Sequence, residues 1–239
     1  MEILRARAAY WALVSVLDGL IGDILAALRN NDLADHTLIV YMSDHGEQVG
    51  EHGLWWKQTF YEESVLVPAI VSWPGVLPAG RRCREVVSSL DLNATMVEAL
   101  GAPPLPGSRG RSLLDLLRGG RDAEWENEAF SEYCTDDGCL HRMIRAGRWK
   151  LNYYHGQEPQ LFDLEEDPGE LDNRAADPAC REVRAELTER VLAGWDPHDI
   201  GRRMEALRIE ARLLADWARN VRPADQYRWN LRPEMDYLD

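Results

Sequence analysis

This 239-residue chain has no surplus of positive charge: 41 acidic residues stand against 27 basic ones, a formal net charge of −14. A surface of that sign repels a phosphate backbone, which argues against nucleic acid as a partner. The short cluster Arg81, Arg82 and Arg84 reads as a solvated loop. Nor is there a C-x-x-C pair. Cys83, Cys134, Cys139 and Cys180 are too few to staple a chain of this length and wrongly spaced for zinc. Free thiols in a reducing compartment are expected, with a Cys134–Cys139 bridge as the lesser alternative. No repeat of fixed period is present. The longest apolar run near the N-terminus, Ala8 to Leu17, stops at Asp18, short of the roughly 20 residues that span a bilayer. It has no small-x-small cleavage site. These absences predict a soluble, cytoplasmic protein with no membrane partner.

What is present suffices for a core, since 45% of the residues are hydrophobic. Leu13, Leu17, Leu20, Ile24 and Leu28 recur at three- and four-residue steps and predict an amphipathic helix over about residues 3–29. Thr37 to Ser43 is a short apolar run rich in β-formers, expected to be a buried strand of the kind found in parallel sheets. Leu66 to Trp73 repeats that pattern and stops at Pro74-Gly75. Asp91 to Leu100 follows as a short helix, with Ser88 or Ser89 as cap and Gly101 at its end. Helix, strand, loop, strand and helix in this order indicate an α/β layer.

Beyond the Pro- and Gly-rich stretch Gly101–Gly110 the texture changes. Glu128–Tyr133, Leu140–Arg145, Trp149–Tyr154 and Gln160–Leu164 are short strand candidates, with Ala146-Gly147 as a hairpin turn. They predict a small antiparallel sheet. Helices are expected over about residues 178–193 and 200–220. The tail from Arg222 to Asp239 places Tyr227, Trp229 and Tyr237 among prolines.

The chemistry gathers between the two early strands. Asp44 and His45 lie just past the carboxyl end of a strand, where open α/β sheets present ligands. A carboxylate and a neutral imidazole suit Mn2+, with Ca2+ or Mg2+ also admissible. From spacing alone, an acid and a histidine capping a turn explain these two residues equally well. Lys57 is a compact point charge suited to sulfate or phosphate oxygens; taken alone it is also an ordinary surface lysine. His52, in the same loop as Glu47 and Glu51, is a candidate substrate contact or a solvated loop residue.

The segment from Ser43 to Pro68, S-D-H-G-E-x-x-G-E-H-G-L-W-x-K-x-x-x-Y-E-E-S-x-x-V-P, resembles the downstream signature of the sulfatases and the similar phosphonate monoester hydrolases, both of the alkaline phosphatase superfamily. The resemblance extends through A-Y-x-A-L-V-S-x-L-D-x-x-I-G upstream and Ser89-Leu90-Asp91-Leu92 downstream. It continues into Met143-Ile144-Arg145, Trp149-Lys150 and Gln160-Leu161-Phe162-Asp163-Leu164-x-x-Asp167-Pro168, and more loosely into a choline-sulfatase-like tail.

The resemblance implies an α/β fold: residues 1–123 as the C-terminal part of an alkaline-phosphatase-like catalytic sandwich, and residues 124–239 as a subdomain of antiparallel sheet, helices and extended tail. It implies Asp44 and His45 as metal ligands, Lys57 as the sulfate-binding residue and a sulfate ester as substrate. The family's nucleophile is a formylglycine made from C-x-P-S-R. None of the four cysteines here is followed by x-P-x-R, and the early acidic metal ligands have no counterpart, so the resemblance implies that an N-terminal half is supplied elsewhere. Two other readings stand beside it. One is a phosphonate or phosphate monoester hydrolase; the other is a non-catalytic protein that forms homo-oligomers through its tail, burying Trp229 and Tyr237.

Overall fold

The computed structural model describes residues 2–120, 124–135 and 138–222. The tail aromatics Tyr227, Trp229 and Tyr237 lie outside the described residues.

The N-terminal helix α1 runs from Glu2 to Asn30. The Asn31 side-chain amide donates to the Ala27 carbonyl at 2.8 Å, satisfying one of the carbonyls left open at the helix end, and Asp32 at φ 56° turns the chain away. One expectation is corrected here: the helix spans its expected range, but its apolar composition continues past Asp18 and is not too short for a bilayer. Between Ala8 and Leu28 only Asp18 and Asp23 carry charge. By length and composition α1 could cross a membrane, and none of its residues is buried. Trp11, Leu13, Val16, Leu20 and Ile24 are all exposed.

A second correction concerns the early strands. β1 (Ile39–Met42) and β2 (Ala69–Ser72) form a two-stranded antiparallel sheet, in register from Ile39 opposite Ser72 to Met42 opposite Ala69. Neither is fully buried, and Ile70 is exposed. The connection explains the direction. It holds only a 3-10 turn (Glu51–Gly53) and the four-residue helix α2 (Glu62–Val65), both too short to carry the chain across a sheet face, and so it returns beside β1 as a wide hairpin. Helix α3 (Ser89–Ala99) begins at Ser88, whose backbone N–H donates to the Asp91 carboxylate at 2.7 Å. With helix α4 (Leu114–Arg118) it buries Leu92, Leu113 and Leu116 against Val40, Met42 and Val71.

The later half is a four-stranded antiparallel sheet in sequential order, β3 (Glu128–Cys134), β4 (Leu140–Ala146), β5 (Trp149–Tyr154) and β6 (Gln160–Asp163). Ala146 and Trp149 face each other across the expected turn. Helix α5 (Arg181–Leu192) covers one face, where Leu187 and Val191 meet Ile144, Leu151 and Leu161, all 2% exposed or less. Each such side chain contributes about 1.5–3 kcal/mol relative to exposure. Helix α6 (Pro197–Val221) follows, capped by the Asp196 carboxylate, with no buried residue. The four cysteines are free thiols.

The two halves are joined by a buried ion cluster. Lys150 on β5 is fully buried, with Nζ 2.9 Å from Glu62 Oε1 and 2.8 Å from Glu170 Oε1. The other Glu170 oxygen accepts from the Glu62 backbone N–H at the start of α2, at 2.6 Å. Burial pushes the Glu170 carboxyl up, and Lys150 only partly opposes this.

Candidate active site

The loop from Asp44 to Lys57 leaves β1, folds back on itself and enters α2. Gly46 is required where the loop crosses α2: its N–H donates to the Ser64 carbonyl at 2.8 Å, and a Cβ there would sit 1.9 Å from the Glu63 carbonyl oxygen. Gln48, fully buried, donates to Thr59 Oγ1 at 2.6 Å and Ser64 Oγ at 3.0 Å. From the other side, Arg7 on α1 donates to the Val49 carbonyl at 2.7 Å and to Glu51 at 2.8 Å.

This scaffold brings three of the predicted residues together. Lys57 Nζ lies 2.7 Å from His45 Nε2, and Asp44 Oδ2 lies 3.4 Å from the same nitrogen. The His45 tautomer follows from its other contact. Nδ1 is 2.7 Å from the Gly46 carbonyl, which can only accept, so Nδ1 carries the proton and Nε2 presents a lone pair. Ser43 Oγ donates to the His45 carbonyl at 2.7 Å and fixes the turn. The slight burial of Asp44 raises its carboxyl, but its own backbone N–H, His45 and Lys57 outweigh that and hold it below the ordinary value. A hard carboxylate oxygen and an imidazole lone pair presented side by side fit part of a divalent cation's donor set. They are only part of one: among the described residues no three His, Cys, Asp or Glu groups converge.

His52 is placed differently. Its ring stacks on Tyr61 with centroids 3.8 Å apart, and Nε2 is 3.7 Å from Glu63, so it packs within the loop. The backbone around it is strained. Val49, His52 and Trp56 have φ of 48°, 52° and 72°, three of the seven non-glycine residues with positive φ among the described ones. Trp56 N donates to Glu47 Oε1 at 2.6 Å, and Trp56 O accepts from Gln48 N at 3.1 Å. Sequence reasoning did not find Gln48 or the Lys150–Glu62–Glu170 cluster. The available signals were the acids of Tyr61-Glu62-Glu63-Ser64 and a lysine flanked by the apolar residues of β5.

Comparison with known proteins follows the same outline. The family described as N-sulphoglucosamine sulphohydrolase, C-terminal, matches residues 50–194. Choline-sulfatase of Rhizobium meliloti is 35% identical over 202 residues, covering 82% of this chain and 38% of that protein. Arylsulfatase K of Mus musculus is 37% identical over 190 residues, 74% of this chain and 34% of its own length. Among solved structures, the phosphonate monoester hydrolase of Agrobacterium radiobacter superposes with a TM-score of 0.72 at 32% identity, over 78% of this chain and 40% of its own. The chain thus spans less than half the length of these relatives.

Proposed function

The chain belongs to the sulfatase family of the alkaline phosphatase superfamily, matching its C-terminal portion, and on that footing we propose that it supplies the anion-binding side of a sulfate ester hydrolase. The observation that carries this reading is the convergence of Asp44, His45 and Lys57, with Lys57 Nζ 2.7 Å from His45 Nε2. Lys57 binds a sulfate oxygen and offsets the charge that grows on the transferring group, where a preplaced cation acts most strongly. Asp44 and the Nε2 lone pair of His45 are two ligands for a divalent cation. That cation, when bound, supplies Lewis-acid polarisation of the same oxygens. The Gly46 carbonyl holds the His45 ring in the tautomer that leaves Nε2 unprotonated, and Lys57 Nζ, now 2.7 Å from that nitrogen, turns aside to the sulfate when the cation takes its place.

The formylglycine nucleophile of this chemistry has no precursor here, since no cysteine is followed by x-P-x-R. In this reading the nucleophile and the remaining ligands come from the segment that relatives carry ahead of this region. Titration calorimetry of the purified chain with Mn2+ and then inorganic sulfate tests the proposal. Asp44→Ala and His45→Ala should abolish Mn2+ binding, and Lys57→Ala should weaken sulfate at least tenfold. Turnover of an aryl sulfate by the 239-residue chain alone, lost in Lys57→Ala, would overturn the claim that the nucleophile lies elsewhere. The likeness to the Agrobacterium radiobacter phosphonate monoester hydrolase supports a second reading, hydrolysis of phosphonate monoesters. Preference for a methylphosphonate monoester over methyl sulfate, both monoanions, would select it.

A further inference from the structure

Trp56 combines a left-handed backbone with a large exposed side chain in the candidate site. Its φ of 72° is a left-handed conformation that glycine adopts freely and that any residue with a Cβ adopts at a cost. Its indole is 72% exposed, so no burial compensates for that conformation. The strain is imposed from both sides of the peptide: Glu47 accepts from Trp56 N at 2.6 Å, and the Trp56 carbonyl accepts from Gln48 N at 3.1 Å. Gln48 is itself fully buried and bonded to Thr59 and Ser64, so the conformation is fixed by the same scaffold that sets the site. The next residue is Lys57, whose ammonium reaches His45. An aromatic ring held against its own stability, one residue from the anion-binding group, is the kind of strain that marks a binding position.

We infer that the Trp56 indole is a specificity platform for the organic half of the sulfate ester. It takes groups that present a π-face or a positive charge to the ring, while Lys57 takes the sulfate. The inference rests on the assignment of Lys57 as the sulfate-binding residue. Two sources of such a group exist, an aryl ring and a quaternary ammonium, and both complement the negative face of an indole. The Glu47 carboxylate, bonded to the Trp56 backbone, adds negative charge beside the platform and favours the cationic group.

The test compares four probes on the full chain with Mn2+ present: inorganic sulfate, methyl sulfate, phenyl sulfate and choline sulfate. Wild type should bind phenyl or choline sulfate about 3- to 10-fold more tightly than methyl sulfate, the range expected of one ring contact. In Trp56→Gly and Trp56→Asn, both suited to a left-handed position, that ratio should fall to about one. Their thermal midpoints should equal or exceed that of wild type. A preference for choline sulfate that Glu47→Gln reduces assigns the cationic group; a preference for phenyl sulfate that Glu47→Gln leaves alone assigns the aryl group. An unchanged ratio in both Trp56 variants overturns the inference. So does a fall in their midpoints, which would make Trp56 a packing residue. Failure of wild type to bind inorganic sulfate overturns the Lys57 assignment as well, so the two failures are distinguishable.

Discussion

Replacing Lys150 by methionine removes one charge from the most deeply buried ionic cluster among the described residues. The side chain is fully buried, its partner Glu170 is 1% exposed, and Glu62 is 20% exposed with Arg145 Nη1 at 3.6 Å. In Lys150→Met, Glu62 can turn to Arg145, but Glu170 is left as a buried carboxylate with no opposite charge. The expected loss is about 3–5 kcal/mol, the usual cost of breaking one half of a buried pair. An exposed pair such as Arg190–Glu186 is worth about 0–1 kcal/mol. Changing both partners, Lys150→Met with Glu170→Leu, removes the stranded charge. The Glu62 backbone N–H then loses the acceptor it has at 2.6 Å, so about 1–3 kcal/mol should still be lost. Urea unfolding followed by circular dichroism gives all three numbers. A single variant that costs less than 1 kcal/mol, or a double variant no more stable than the single, would refute the argument that charge compensation holds α2 to β5.

Three further outcomes follow from contacts described above or adjoining them. Arg148 bonds Asp163 and holds its carboxyl below the ordinary value of 3.8, with lesser help from the Glu165 and Glu166 backbone N–H groups. The stabilisation is therefore complete above pH 3.8 and disappears as pH falls through the depressed folded value. Asp163→Asn should be less stable at pH 7 with a shallower acid limb, and identical acid limbs would show the pairing to be inert. Gly46→Ala drives a Cβ into the Glu63 carbonyl, so it should cost about 1–3 kcal/mol and weaken sulfate binding; thermal melts and calorimetry read the two effects. Asp91→Ala leaves the Ser88 and Arg111 backbone N–H groups, now bonded at 2.7 and 2.9 Å, without an acceptor. The loss should be about 1–3 kcal/mol in thermal melts, and Asp91→Asn should recover at most one of the two bonds, because its amide nitrogen sets a donor against the other N–H.

The later sheet was legible because each strand carries its own signal and each turn is short. Ala146-Gly147 closes β4 onto β5 with no information from elsewhere. Direction was not legible for β1 and β2. Their apolar runs state how much surface needs cover, and not which way the partner strand runs; that depends on the geometry of a long loop with its one-turn helix. The grouping of Asp44, His45 and Lys57 was readable from the motif, but the reason His45 leaves Nε2 unprotonated is not in the motif. It lies in the Nδ1 bond to a backbone carbonyl, which no residue type encodes. Lys150 was hidden for a related reason. A lysine in a strand reads as solvent-facing, and only the distant pair Glu62 and Glu170 makes its burial tolerable.

That same cluster sets an order of assembly. Glu62 meets Lys150 across 88 residues and Glu170 across 108. On a ribosome adding about 5–20 residues per second, roughly 5–20 seconds separate the synthesis of α2 from that of the carboxylate that caps it. During that interval the loop bearing His45 and Lys57 has emerged without its anchor. The loop is therefore made early and anchored only once the later sheet and Glu170 are in place.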